Sequence, residues 1–338
     1  MRRGVLQALK FLAFLIIGII LLWLAFRKTD FNKLTADLRE ANYAWLLLSV
    51  LFGFFAYLSR ARRWILLIHP LGYKPSLSNT YHALMTGYLA NLALPRLGEI
   101  TRCVALGKRE KIPVDQLFGT ILIERTIDFF SLVIIMFVVI FTSSDQVTAF
   151  MNKSIFIPLQ EKVFILVGAT WILGAALFAL FLSAFILLIR YKKNLRKISF
   201  FAKLFTIVRG IINGLKTITN LKRKWEFFFH TIFIWLNYAL MSWVVVFAIE
   251  STSHITFAES FFLLVIGGLA MSAPVQSGFG VFHYTVSRAL VILGNVPLED
   301  GLVYSLLAHE SQLIFIAIMG TISFFLIFRR HRKEEMIE

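Results

Sequence analysis

Six stretches of this chain, at about 9–26, 43–59, 117–142, 163–189, 227–249 and 303–328, stay apolar for close to twenty residues or more. A helix rising 1.5 Å per residue needs about 20 apolar residues to cross a ~30 Å hydrocarbon core. Each stretch is therefore read as a membrane span. The composition agrees: 58% of residues are hydrophobic, only 16% are charged, and mean hydropathy is +0.76. A soluble domain carries about 25% charge, so that class is excluded. The first stretch follows Arg2, Arg3 and Lys10, like a signal peptide, but it is too long and no small-residue cleavage site precedes Arg27. It is read as a retained span. The second is the shortest, and Arg60, Arg62 and Arg63 at its end are read as snorkelling to the interface.

Two further apolar regions are interrupted. The first runs over 77–105 and carries Asn91-Leu92-Ala93-Leu94-Pro95-Arg96-Leu97-Gly98-Glu99, continuing to Arg102. The second runs over 258–294 and carries Pro274-Val275-Gln276-Ser277-Gly278-Phe279-Gly280-Val281-Phe282-His283. The limbs of the second, 258–273 and 281–294, are only about 21–24 Å long as helix, short of a full crossing. Hydrophobic segments broken by Gly and Pro at matching places in two halves point to a transporter built from inverted repeats. The expected fold is all-α and integral to the membrane, with about six transmembrane helices and two re-entrant hairpins. The alternative is eight full spans.

Charge sets the topology. With the N-terminus inside, 27 Lys and Arg fall on the cytoplasmic side and 6 outside, a pronounced positive-inside bias. The net charge of +16 then faces anionic lipid and calls for no nucleic acid. Both termini are expected in the cytoplasm, and the expected location is the bacterial inner membrane. The units are a first repeat at 1–142, an outer connection at 143–162, and an inverted repeat at 163–328. A basic tail follows at 329–338. Within the second repeat, 194–220 alternates Ile198, Phe201, Leu204, Phe205 and Val208 with Arg196, Lys197, Lys203 and Arg209, the pattern of an interfacial amphipathic helix. The single Cys103 excludes an internal disulfide, and no Cys/His cluster has metal spacing. No metal or other cofactor is expected.

Ionisable residues inside the apolar segments are costly unless paired or hydrated. Glu124 and Asp128, at i and i+4, share one helix face, and Arg125 points about 100° away from Glu124. Glu310 lies as deep in the last span as Glu124 does in its own, accompanied by His309 and Gln312. A helix opening at 278–281 would offer unpaired N–H groups to a phosphate or carboxylate. Gly278 and Gly280 allow close backbone approach, and Arg96 and Arg102 suit forked hydrogen bonds to phosphate. For each residue alone, a structural ion pair or a tight turn is the competing reading.

These residues carry a resemblance. Asn91 to Arg102 resembles the N-x-x-x-P-x-x-x-G/E-x-x-R signature of the lysylphosphatidylglycerol synthase/flippase transmembrane family. Glu124-Arg125-Thr126-Ile127-Asp128 is similar to its E-R-x-x-D, and Pro274 to Gly280 to its P-x-x-G-G-x-G. Ser277 stands where the family has the first of two paired glycines, and His283 where many members have an acidic residue. The resemblance implies the translocating part of such proteins without the synthase domain, since the chain ends ten residues after its last span.

The resulting expectation is a lipid translocator and no enzyme, acting on a phospholipid or polyprenyl-phosphate-linked headgroup. The candidate binding residues are Asn91, Arg96, Glu99, Arg102, Glu124, Arg125, Asp128, Gln276, Gly278, Gly280, His283 and Glu310. Arg96 and Arg102 would take phosphate with Glu99 orienting them. Glu124, Asp128 and Glu310 would meet a cationic headgroup or exchange protons. Partners are membrane lipids, an anionic phospholipid or lipid-linked headgroup first among them, with a separate lipid-modifying enzyme or a second copy of the chain as further candidates. The competing functions are a membrane-embedded enzyme of lipid or lipid-linked sugar modification and a scaffold for a separate synthase.

Overall fold

The computed structural model of the protein describes residues 29–94, 97–142, 221–273, 275–294 and 296–335, with positions 16, 19–20 and 22–27. Arg96, the stretch at 163–189, the outer connection, the amphipathic segment at 194–220 and most of the first stretch lie outside the described residues. Among those described, every regular element is helical. They are α1 (Phe31–Glu40), α2 (Tyr43–Ile68), α3 (Leu77–Ala93), α4 (Leu97–Glu110), α5 (Val114–Thr142), α6 (Lys224–Val244), α7 (Phe257–Ser272), α8 (Val281–Gly294) and α9 (Leu298–Glu335).

Local sequence explains the boundaries. Asp30 caps α1 by accepting from the N–H of Asn32, Ser76 caps α3 through the N–H of Asn79, and Thr256 with Glu259 forms a reciprocal capping box on α7. Among the described residues three helical stretches, Tyr43–Leu71, Lys224–Ala248 and Leu298–Phe328, are long and apolar enough to cross a bilayer. The first corrects the sequence reading. It does not end in snorkelling arginines at 60–63, because Trp64-Ile65-Leu66-Leu67-Ile68 carries the apolar helix on and buries Arg60 and Arg63 in mid-helix.

The described residues repeat one order twice: long helix, pair of short helices, long helix. In the first half this is α2, α3/α4, α5, and in the second α6, α7/α8, α9. The short helices have 17, 14, 16 and 14 residues, about 21–25 Å each. Each pair closes at its base. Glu110 accepts from the backbone N–H of Ser76 and the side chain of Asn79, and the His254 ring meets the carbonyl of Gly294 at 3.1 Å. The packing is reciprocal between the halves: α2 lies on α6, α3 of the first hairpin packs on α9, and α7 of the second packs on α5.

Segments placed on the same membrane side by charge touch one another. Lys33 bridges to Glu299 at 3.1 Å and Asp300 at 3.3 Å, and these carboxylates hold its ammonium above the usual lysine pKa. On the other side Arg62 and Arg223 both reach Glu226. Polar side chains stitch the long helices, where small residues and hydrogen bonds replace the hydrophobic drive. Gln312 Nε2 donates to Ser49 Oγ at 3.2 Å, and Ser49 Oγ donates to the Met241 carbonyl at 2.9 Å. Ser59 Oγ lies 2.7 Å from His230 Nδ1.

The first hairpin depends on a glycine pair. A Cβ on Gly98 would strike the Gly87 carbonyl oxygen and the Asn91 side chain, and one on Gly87 would lie 2.7 Å from the Gly98 carbonyl oxygen. Because the nearest obstacle in each case is a backbone oxygen, no rotamer change relieves it. Gly98→Ala should lower stability by about 1–3 kcal/mol and shift the thermal midpoint in detergent downward. Gly119→Ala, which meets nothing within 4 Å, should leave it in place.

Candidate functional site

The two breaks come together. Gln276 Nε2 donates to the carbonyl oxygen of Ala93 at 3.4 Å, and Ser277 Oγ to that of Asn91 at 3.5 Å. Asn91 in turn accepts the backbone N–H of Gly98 at 2.7 Å, holding the start of α4 against the end of α3. Beside this meeting point lies a cavity of about 370 Å³ lined by Leu92, Gln276, Ser277, Phe279, Leu313, Ile314 and Ala317. Its wall is mostly aliphatic and aromatic, with polar groups only at the second tip.

The second tip is a sharp turn. Ser277, Gly278 and Gly280 have φ of 47°, 72° and 78°. Glycine adopts this region freely, but a side-chain-bearing residue is strained there by about 1–2 kcal/mol. The position where Ser277 replaces a family glycine is thus one whose backbone favours glycine. His309 Nε2 lies 2.8 Å from the Ser277 carbonyl oxygen and pins the turn to α9.

Behind the first tip, three arginines and two acids form a buried network. Arg60 donates to both Glu124 and Asp128, the latter at 3.0 Å, and Arg63 donates to Asp128 at 2.6 Å and lies 3.6 Å from Glu124. Arg102 lies 3.1 Å from Glu124 and stacks over the Trp64 ring at 4.8 Å. The Trp64 N–H is fixed by Thr120 at 2.8 Å, and Arg60 also donates to the Tyr238 hydroxyl at 3.2 Å. Glu124 and Arg63 are fully buried and Arg102 almost so. Glu124 and Asp128 do share one face, and that face is taken up by guanidinium groups. Arg125, turned away from it, pairs with Glu99 at 2.8 Å on the surface.

Arg60 and Arg63 are the residues the sequence reading missed as partners. Their signal was present: an i, i+3 pair followed by five more apolar residues is mid-helix, not a helix end. Three of the arginines counted as cytoplasmic are therefore buried in the helical core, and the charge asymmetry survives without them.

Glu310 belongs to a second cluster with different chemistry. Its Oε1 lies 3.3 Å from His283 Nε2 and 3.0 Å from His309 Nδ1. Phe282 stacks on His309 at 4.9 Å, and Phe279 meets His283 edge-on at 5.7 Å. His283 and His309 are far apart in sequence, so spacing alone gave no sign of this grouping. The two acidic spans matched in depth by sequence thus carry unlike partners, arginines in one half and histidines in the other.

A paired set of broken helical hairpins, meeting tip to tip among long apolar helices, defines a polytopic all-α membrane protein with a polar break in its interior. The chain belongs to the lysylphosphatidylglycerol synthase TM region family, whose model matches residues 10–320. It is 25% identical to a UPF0104 membrane protein of Methanocaldococcus jannaschii, over 90% of this chain and 91% of that one. No solved structure matches it.

The buried network has three positive and two negative members, so removing an acid and removing an arginine are unequal. Glu124→Gln leaves three guanidinium groups facing one carboxylate and should cost about 3–5 kcal/mol. Arg102→Gln leaves two of each and should cost less. Thermal unfolding of the two purified variants in one detergent checks the order. At the second tip, Ser277→Val should lower stability by about 1–2 kcal/mol, as a β-branched residue is poorly tolerated at positive φ, whereas Ser277→Gly should not lower it.

Proposed function

We propose that this protein translocates lipid, moving a phospholipid or polyprenyl-phosphate-linked headgroup between leaflets while the acyl chains stay in the bilayer. The observation that carries the reading is the contact of the two tips beside the cavity at Leu92, Gln276 and Phe279. The charge asymmetry puts the base of the first hairpin inside and that of the second outside. Two full-length hairpins so oriented would hold their tips at opposite faces, about 30 Å apart. Tips within hydrogen-bond distance instead favour two re-entrant hairpins converging near the midplane. Non-helical backbone at that depth is tolerable only against protein or a hydrated path, which is the arrangement of transporters with broken helices.

In this reading the work is divided. The arginine–carboxylate network is the rigid support of the first hairpin. The Glu99–Arg125 pair near that tip offers exposed charge to a lipid phosphate, and Arg96 is the phosphate partner expected from the sequence motif. Gln276 and the N–H groups opening α8 supply polar contacts along the path, and the mostly apolar cavity wall faces the upper acyl chains. The partners are anionic membrane lipids, the location is the cell membrane with both termini cytoplasmic, and no bond of the lipid is made or broken.

The test is purified protein in liposomes carrying fluorescent lipids of several headgroups, with dithionite quenching of the outer leaflet. Translocation above protein-free vesicles for at least one headgroup is expected. Ala317→Trp, which fills the cavity from a wall position about two helical turns beyond Glu310, should slow it by roughly tenfold, or about 1.4 kcal/mol of barrier. No translocation for any headgroup would sink the proposal, and an altered headgroup without movement would favour the enzyme reading.

A further inference from the structure

We infer that His283, His309 and Glu310 form a binding site for one divalent transition-metal ion of the zinc class, joining the second hairpin to α9. The inference does not rest on lipid translocation. His283 is wholly buried in the first turn of α8, and among the described residues neither of its ring nitrogens has a hydrogen-bond partner of good geometry. Its Nε2 nevertheless faces Glu310 Oε1 at 3.3 Å. A buried imidazole directed at a carboxylate without a hydrogen bond is the posture of a ligand beside its co-ligand.

His309 gives the second, independent argument. Its Nε2 lies 2.8 Å from the Ser277 carbonyl oxygen, an acceptor only, so Nε2 carries the hydrogen. In neutral imidazole Nδ1 then presents a lone pair, and it points at Glu310 Oε1 from 3.0 Å. Two electron-rich atoms at that distance require something positive between them. Metal-ligating histidines characteristically donate their other N–H to a carbonyl or carboxylate, which fixes the tautomer, and Ser277 is placed to accept it.

Two of the three donor separations fit a small ion. The three donor atoms lie within 4.8 Å of one another. A tetrahedral ion with bonds of about 2.0–2.1 Å sets its ligand atoms about 3.3 Å apart, near the 3.0 and 3.3 Å separations from Glu310. Two imidazoles and one carboxylate suit zinc and its neighbours, with the fourth position left for water or another oxygen. Phe279 and Phe282 wall the histidines off, while Glu310 stays 37% exposed. Bound there, the ion would lock the strained Ser277 turn to the last helix.

The experiment uses the full chain without a polyhistidine tag, purified in detergent, stripped with a chelator and titrated with Co²⁺. One equivalent per chain, with the intense visible absorption of four-coordinate cobalt and displacement by Zn²⁺, is expected. Zn²⁺ should also raise the thermal midpoint. His283→Gln, His309→Gln and Glu310→Gln should each weaken binding by more than about a hundredfold, the upper range for losing even an indirect ligand contact. Glu310→Gln alters a partly exposed side chain, so its size-exclusion profile should match the parent and separate ligand loss from misfolding. His69→Gln should bind as the parent does. A parent that binds no Co²⁺ would overturn the inference and leave the His309–Glu310 contact to a proton. Equal binding by the His283→Gln/His309→Gln double variant would overturn it as well.

Discussion

The first half of this protein is organised around a charge imbalance that lipid would not tolerate in the open. Three guanidinium groups and two carboxylates, from α2, α4 and α5, are removed from solvent together. Each ion alone would be prohibitively costly at that depth. As a set they are tolerable only while every member stays in register. The helices are therefore coupled more tightly than their apolar faces require, since sliding α2 against α5 by one turn would strand Arg60 and Arg63. A buried ion network is weak evidence for added stability, but its geometry is restrictive. Here it ties α4 of the first hairpin to both α2 and α5.

The second half solves the same placement problem without arginine. Its last helix carries Glu310 at the matching depth but surrounds it with two histidines and aromatic rings. One half thus holds its hairpin through guanidinium–carboxylate pairs, the other through two imidazoles and a single carboxylate. The shared frame is the reciprocal packing of α3 on α9 and α7 on α5. What differs is how firmly each tip is held.

Much of this was legible in the residues. The limbs at 258–273 and 281–294 match α7 and α8 within a residue, because Thr256-x-x-Glu259 and the Pro-Gly run are strong local signals. The helical phase of Glu124, Arg125 and Asp128 also follows from sequence, since 3.6-residue periodicity needs no tertiary information. The partners of those residues do not. Arg60 and Arg63 resemble a helix end when read forward from 43, and only the packing of α2 beside α5 shows which charges they meet. The grouping of His283 with His309 likewise depends on how α8 returns against α9. The tip-to-tip contact was foreshadowed by two matched breaks, yet its hydrogen bonds join side chains of one half to backbone of the other, which no motif encodes.

That last asymmetry bears on how the two halves can diverge. At the meeting point the described residues of the first tip accept hydrogen bonds through the main-chain oxygens of Asn91 and Ala93, while the second tip donates them from the side chains of Gln276 and Ser277. Every residue type carries a carbonyl, so this contact leaves the identity of position 93 unconstrained. Position 276 has no such latitude, since a donor of similar reach must be kept. At position 93 the first half is free to vary, whereas Asn91 is still tied through its side chain to Gly98 and Gln276 must keep its donor.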